Sequence, residues 1–262
     1  MSENYQALAQ QYQQDGFTIH PTPIIPAEMI ENAVANIPDI IAEKYDMGFP
    51  PSRRWNVGDR KKVQKMDMVH RCNRAFFDLV THPPLGEAVA KICGAKRIQI
   101  WDTQLFIKPP QGGDNGNIGW HTDEVNWYWW SGDVFTIWLP LCDVSEREGT
   151  LAYIPASHQN DLEFSILDGY DQAMEKAEQD LKQKLPKDSF NPVYVEIPKG
   201  AFAVHHKKLI HGSRENASDN ARICVAITVR TEHGIPVFDK DDMGHLEHLE
   251  NPVFSPVIHY EL

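Results

Sequence analysis

From residue 97 onward the chain reads as short alternating runs of apolar and polar residues separated by Gly, Pro and Asn turns, and this texture limits the fold more than any other feature. Arg97 to Lys108, Val134 to Leu141, Tyr194 to Ile197, Ala201 to Val204 and Ile223 to Val229 all carry a strand's two-residue period. Before residue 97 the period is helical. Tyr5, Leu8, Ala9 and Tyr12 recur along residues 3–15, Asp15-Gly16 closes that segment, and Phe17 to His20 reads as a short strand. Met29, Ile30, Ala33, Val34 and Ile37 mark one face of a helix from Pro26 to Tyr45, which Pro38 is expected to kink or end. A further helical stretch, Phe76 to Cys93, is interrupted at Pro83-Pro84. An insert from about Gln172 to Lys184 holds good helix formers with few apolar anchors, so it is expected on the outside. Helices followed by many short strands point to a mainly β fold with flanking helices, a double-sheet jelly-roll sandwich packed against N-terminal helices.

At 262 residues the chain is long enough for a sizeable core, and no linker, repeat or low-complexity tract divides it. One domain is expected, with a helical part over 1–96, a strand-rich core over about 97–231 and a tail over 232–262. The net charge of −12 argues against nucleic acid, which needs a basic face. No apolar run is long enough to span a bilayer, and Met1 to Gln6 lacks a signal peptide's regions, so a cytoplasmic protein is expected. Cys72, Cys93, Cys142 and Cys224 have no paired spacing and read as free thiols. The one basic block, Arg53 to Arg74, reads as a solvated face, with an anion-attracting mouth as the alternative.

Two imidazoles and one carboxylate can hold a non-haem Fe(II) on one face and leave its other positions open. His121 and Asp123 are two apart, so on an extended strand both side chains point the same way. With 12 histidines in the chain, a His-x-Asp pair arises about once by accident, so context has to decide. The decoys His245-Leu-Glu247 and His248-Leu-Glu250 lie in a polar segment with helix-like spacing and are expected at the surface. His121-Thr-Asp123 instead follows a glycine-rich loop, Gln111 to Gly119, and precedes the strands that could close around it. His211 is the candidate third ligand, because Arg222 follows eleven residues later. Alternation along Arg222 to Arg230 puts Ile223, Val225, Ile227 and Val229 on one face and Arg222, Cys224, Ala226 and Thr228 on the other. Both faces are therefore expected to be largely buried, apart from Arg222. A guanidinium aimed into a protein interior needs a carboxylate partner, and a dicarboxylate cosubstrate held by iron at its other end would supply one.

The ordered set of motifs resembles the phytanoyl-CoA dioxygenase family of Fe(II)/2-oxoglutarate-dependent oxygenases, over nearly the whole chain. The matching segments are the opening helix with Asp15-Gly16-Phe17, Trp120-His121-Thr-Asp123, Thr136-Ile-Trp138-Leu-Pro-Leu141 and Gly149-Thr-Leu151. Ile154-Pro-Ala-Ser-His158, His211-Gly-Ser213, Asn216 and Arg222 complete them. The resemblance implies a double-stranded β-helix core, with His121, Asp123 and His211 as iron ligands. It implies that Arg222, assisted by Ser213, grips the distal carboxylate of 2-oxoglutarate, and that Gln104 and Thr136 approach the cosubstrate or substrate. Ala156 stands where this family commonly has glycine. His205 and His206 lack Arg222 at the matching spacing, so supporting or structural roles are expected, and His158 reads as structural. Among the aromatic run Trp127 to Trp130, mostly core by composition, Trp127 is the member expected to face the substrate.

The activity so implied is hydroxylation of an unactivated C–H of a small metabolite, with Fe(II), 2-oxoglutarate and O₂. The same cofactors could instead end in desaturation, cyclisation or epimerisation. Halogenation is disfavoured because it needs a vacant position where Asp123 supplies a carboxylate. A non-catalytic metal or 2-oxoglutarate sensor and a zinc hydrolase are the rival classes; the hydrolase gives no reason for Arg222. The substrate, the oligomeric state and the role of the tail, whether over the barrel mouth or at a subunit contact, stay open.

Overall fold

The computed structural model describes residues 5–112, 116–160 and 174–261. The helical half is α1 (Tyr5–Asp15), α2 (Ala27–Ile41), α3 (Arg74–Val80) and α4 (Pro83–Cys93), with β1 (Phe17–His20), β2 (Arg54–Trp55) and β3 (Gln64–Asp67) between them. Then come β4 (Arg97–Lys108), β5 (Ile118–His121), β6 (Trp130–Ser131), β7 (Val134–Pro140) and β8 (Ala152–Tyr153). The insert helix α5 (Met174–Lys184) precedes β9 (Val193–Tyr194), β10 (Phe202–His206), β11 (His211–Ser213) and β12 (Arg222–Arg230). The tail adds β13 (Ile235–Pro236) and β14 (Val257–Tyr260).

Among the described residues all strand pairs are antiparallel. The larger sheet runs β1-β10-β7-β12-β4-β3-β2, with β14 also on β4, and the smaller runs β5-β11-β8-β9. The alternation in β4, β7 and β12 explains the layering. One set of side chains, including Leu105, Ile107, Ile137, Leu139, Val225, Ile227 and Val229, packs against Ile30, Ile37, Phe76, Leu79, Leu85 and Val89 of the helices. The other set, including Phe106, Trp138, Ala203 and Cys224, packs against Ile118, Leu151, Tyr153 and Val195 from the side of the smaller sheet. Truncating a fully buried member such as Leu139 costs about 2–5 kcal/mol.

The inner face of the larger sheet is an ordered array of rows set by register. Lys108 lies opposite Arg222, and Phe106 opposite Cys224. Gln104, Ala226, Trp138 and Ala203 form the next row, then Asp102, Thr228, Thr136 and His205. A bulge between Thr228 and Val229 makes Trp101 the extra residue on β4.

Several expectations need adjustment. Pro38 does not end α2, which continues to Ile41. It stands in the last turn, so only the bond its own nitrogen would have made is missing, while its carbonyl accepts from Ala42 at 2.9 Å. Pro83 and Pro84 do break the stretch, because they occupy the first turn of α4, where a missing N–H costs nothing. The insert helix lies across the outside as expected, yet it has three anchors: Met174, Ala177 and Leu181 are buried with Trp120, Ile154 and Ile210. Gln172 and Ala173, the first two residues of the predicted insert, lie outside the described residues, as do Glu3 and Asn4 of the first helix and residues 113–115 of the glycine-rich loop. The tail is no separate element, since β14 adds to β4 and packs against α4. Among the described residues no helix is long and apolar enough to cross a membrane, and all four cysteines are free.

Candidate metal centre

β5 and β11 are neighbours in the smaller sheet, and their register sets His121 directly opposite His211. Gly212 allows this approach, since a Cβ there would stand 3.2 Å from the Gly119 backbone. The strand period does not carry Asp123. β5 ends at His121, Thr122 is extended, and Asp123 opens a short 3-10 helix over Asp123–Asn126. The carboxylate still meets the two imidazoles. Asp123 Oδ1 lies 3.9 Å from His121 Nε2 and 3.7 Å from His211 Nε2, and one ligand atom from each residue lies within 4.8 Å of the others. Among the described residues this is the one group of three such side chains, and the decoy His245 is instead buried beside Trp101.

The hydrogen bonds fit a metal rather than a proton at that point. His121 Nδ1 donates to the Gly119 carbonyl at 2.8 Å and His211 Nδ1 to the Leu209 carbonyl at 2.9 Å, which leaves both Nε2 lone pairs facing Asp123. Asp123 Oδ2 accepts from Thr136 Oγ1 at 2.9 Å and lies 3.2 Å from His205 Nε2, so Oδ1 is the oxygen left for a cation. Burial, then the charge of His211, lowers the His121 pKa to about 4. Burial, then His205, lowers that of His211 to about 4. For Asp123, burial works upward, but His211, the His205 hydrogen bond and His121 outweigh it and hold the carboxyl well below its ordinary range. Two neutral imidazoles and one carboxylate are the protonation states a divalent ion requires.

At the other end of the inner wall lie two buried cations. Arg222 is 1% exposed; it donates to the Gly149 carbonyl at 3.1 Å and to Cys224 Sγ at 2.8 Å, and stands over the Trp138 ring at 5.8 Å. Its Nε and the hydroxyl of Ser213, itself buried, have no hydrogen-bond partner among the described residues. Gly149 can present that carbonyl because it has φ +62° at a place where a Cβ would lie 2.5 Å from the Arg214 carbonyl. Across from Arg222, fully buried Lys108 donates to the carbonyls of Ser213 and Arg214. Burial, then repulsion from Arg222, pushes its pKa well below the usual lysine value. Among the described residues neither cation has an ion-pair partner. Lys108 was not singled out in the sequence, although it ends a predicted strand; only the register reveals that it faces Arg222.

The remaining candidates divide. Thr136 is engaged with Asp123. Gln104 donates to Asp102 Oδ2 at 2.9 Å and lies opposite Asp67, on the same wall two rows nearer the metal end than Lys108 and Arg222. Trp127 is buried in an aromatic group with Trp101, Trp129 and Trp130, edge-on to Trp101 with ring centroids 5.1 Å apart, while its neighbour Tyr128 is exposed. His206 and His158 pack together near the chain start, their rings 5.4 Å apart. The basic block is largely a solvated face, with Arg53, Arg54, Arg60, Lys61, Lys62 and Arg74 exposed. Lys65 is the inward member; it pairs with Asp67 at 3.2 Å, and its charge adds to the lowering of His121.

Comparison with known proteins agrees with this geometry. A model of the family described as phytanoyl-CoA dioxygenase (PhyH) matches residues 12–224. A probable alpha-ketoglutarate-dependent hypophosphite dioxygenase of Stutzerimonas stutzeri is 23% identical over 195 residues, covering 72% of this chain and 64% of that protein. The chain thus spans under two thirds of the length of this curated relative. The non-haem alpha-ketoglutarate-dependent carbocyclase SnoK from nogalamycin biosynthesis has the same fold, with a TM-score of 0.68 at 18% identity over 93% of this chain and 90% of that one. The epimerase SnoN, solved with Fe³⁺, alpha-ketoglutarate and nogalamycin RO, gives 0.67 at 18% identity over 88% and 85%. The chain belongs to the phytanoyl-CoA dioxygenase family, whose enzymes use Fe(II), 2-oxoglutarate and O₂.

Proposed function

We propose that this member of the phytanoyl-CoA dioxygenase family binds Fe(II) through His121, Asp123 and His211 and oxidises a small metabolite. The reaction is hydroxylation of an unactivated C–H, coupled to decarboxylation of 2-oxoglutarate to succinate and CO₂. The observation that carries this reading is a pair of complementary needs in one interior. Three neutral-or-anionic ligand atoms converge at one end, and a buried Arg222 lacks a carboxylate at the other. Ferrous iron with 2-oxoglutarate would supply the oxidising power by activating O₂ as the keto acid is decarboxylated.

The chain's own groups do the rest. His121 and His211 are held in one tautomer by the Gly119 and Leu209 carbonyls. Arg222 receives the distal carboxylate of 2-oxoglutarate, the Ser213 hydroxyl donates to it, and Lys108 lies behind them, fixed by its bonds to the Ser213 and Arg214 carbonyls. The Trp138 ring and the apolar residues between the sheets keep water from that carboxylate. Gln104 and Thr136, on the inner rows nearer the metal ligands, would orient the substrate, and Trp127, buried in the aromatic group beside Trp101, is the further substrate contact we assign. The core is a double-stranded β-helix within a single domain, with 5–96 as helical support and 232–261 as an added edge. A carbocyclase and an epimerase share the fold, which supports a second outcome with the same cofactors: cyclisation or epimerisation of a natural-product intermediate.

The test is to load the protein with Fe(II) and 2-oxoglutarate without oxygen, admit O₂ with candidate metabolites, and assay succinate. Succinate should depend on O₂ and on Asp123. Full succinate production by Asp123→Ala would remove the ligand assignment. Binding of 2-oxoglutarate without any turnover would favour a sensor.

A further inference from the structure

The interior row that ends at His205 has a feature that iron ligation and cosubstrate binding leave unused. Thr136 and His205 are paired neighbours on β7 and β10, and both reach the same oxygen, Oδ2 of Asp123. Behind His205, on the smaller sheet, the Tyr153 hydroxyl lies 3.0 Å from His205 Nδ1. Tyr153 and His205 are both buried, and their rings lie 5.3 Å apart. The direction of the hydrogen bonds follows from the groups. A carboxylate only accepts, so His205 must carry its proton on Nε2 to bond Asp123. An imidazole whose one proton is on Nε2 has a lone pair on Nδ1, and the Tyr153 hydroxyl, 3.0 Å away, is the donor that fits it. Burial, then the Asp123 charge, raises the tyrosine pKa well above its ordinary value, so the phenol keeps the proton it donates.

We propose that Tyr153 and His205 are positioning residues for the metal centre: Tyr153 fixes the tautomer of His205, and His205 together with Thr136 holds Asp123 Oδ2 away from the metal, so that Asp123 binds through Oδ1 alone. This rests on the ligand assignment proposed above. A carboxylate free to rotate could bind through both oxygens and occupy a position that the cosubstrate or O₂ needs. Two donors on one oxygen prevent that. Without Tyr153, His205 can adopt the other tautomer, which turns an Nε2 lone pair toward the carboxylate and replaces attraction with repulsion. His211, whose ring lies 4.4 Å from that of His205, is held separately by the Leu209 carbonyl, so the effect falls on Asp123.

The experiment uses Co(II) as an oxygen-stable probe of the full-length protein, reading its affinity and visible d–d bands by titration. His205→Phe, which keeps the ring volume and removes both nitrogens, should weaken Co(II) binding about 10- to 100-fold, the range for loss of a carboxylate's outer partner. Its d–d bands should also shift and weaken, as for a higher coordination number. His205→Gln, whose amide can still donate to Asp123, should recover much of that affinity. Tyr153→Phe should weaken binding in the His205 protein and have no effect in the His205→Phe background. Asp123→Ala marks the loss of the site itself. Unchanged Co(II) affinity and spectrum in His205→Phe, with only a lowered unfolding midpoint, would make the pair merely structural and overturn the proposal. Additive effects of the two substitutions would overturn the tautomer link. An unsubstituted protein that binds no Co(II) would overturn both the site and its positioning.

Discussion

Replacing Arg222 by Met should leave the stability of the empty protein little changed while nearly abolishing 2-oxoglutarate binding. Arg222 is 1% exposed, lies beside buried Lys108, and has no carboxylate partner among the described residues. Replacing a buried charge with an apolar side chain of similar length is often stabilising by about 1–4 kcal/mol. Against this stands the loss of its hydrogen bond to the Gly149 carbonyl, which leaves that acceptor buried at a cost of about 1–3 kcal/mol. The two ranges largely offset and put the net change between about −2 and +3 kcal/mol. The upper end is a rise in unfolding temperature of about 10 °C for a chain of this size. Binding responds in the opposite direction. Removing one partner of a buried charge pair costs about 2–5 kcal/mol, which weakens 2-oxoglutarate binding about 30- to several-thousand-fold. Thermal unfolding of the metal-free protein and calorimetric titration of 2-oxoglutarate with Co(II) present, both on Arg222→Met, give the two numbers. A drop in stability of more than about 2 kcal/mol together with unchanged 2-oxoglutarate affinity would refute the reasoning. It would mean that Arg222 is fully satisfied by the protein itself.

Three further outcomes are expected. Lys108→Met should weaken 2-oxoglutarate binding less than Arg222→Met does, because its ammonium already bonds two backbone carbonyls; an equal or larger loss in calorimetry would make Lys108 the main anchor. Ala156 sits at φ +59°, where glycine is at home, so Ala156→Gly should stabilise by about 0.5–1 kcal/mol, read as a higher urea midpoint, and a fall would contradict it. In the metal-free protein, His70, His121, His206 and His211 have pKa values lowered to about 4, chiefly by burial. Their folded values lie below the unfolded one near 6.5, so the folded state binds fewer protons between those limits. Their contribution is therefore complete above pH 6.5 and is lost as pH falls toward 4, by up to about 1.4 kcal/mol per histidine per pH unit. Asp67, raised to about 6 by burial and then by Asp102, acts in the opposite direction in that range. Urea unfolding at pH 7 and pH 5 should show a large net loss at pH 5; equal midpoints would contradict it.

What the sequence made legible follows from which information is local. The helical and strand periods, the break at Pro83-Pro84 and the two buried faces of Arg222 to Arg230 depend on neighbours in sequence, and they match the observed elements except over Tyr194 to Ile197, where the strand is Val193–Tyr194. The convergence of His121, Asp123 and His211 was also readable, because the ordered motifs constrain it across ninety residues. Register was not. The rows that place Lys108 opposite Arg222 and Thr136 beside His205 depend on how four strands align, and a one-residue slip would erase both. The two- to four-residue strands, such as Arg54–Trp55 and His211–Ser213, are too short to show a period and exist because longer partners template them. Pro38 was over-weighted, since its effect depends on how many turns of helix remain beyond it. Tyr153 carried no signal at all, being one more apolar-looking residue of a short strand until β8 is seen facing β10.

The central claim is that His121, Asp123 and His211 hold ferrous iron to which 2-oxoglutarate binds with its far end on Arg222. Mixing the protein with Fe(II) and 2-oxoglutarate under anaerobic conditions and recording the visible spectrum tests it directly. A metal-to-ligand charge-transfer band should appear only when all three components are present, and should vanish in His211→Ala and Asp123→Ala. In Arg222→Met it should require far more 2-oxoglutarate. No band in the unsubstituted protein at saturating iron and 2-oxoglutarate, or an undiminished band in Asp123→Ala, would contradict the claim.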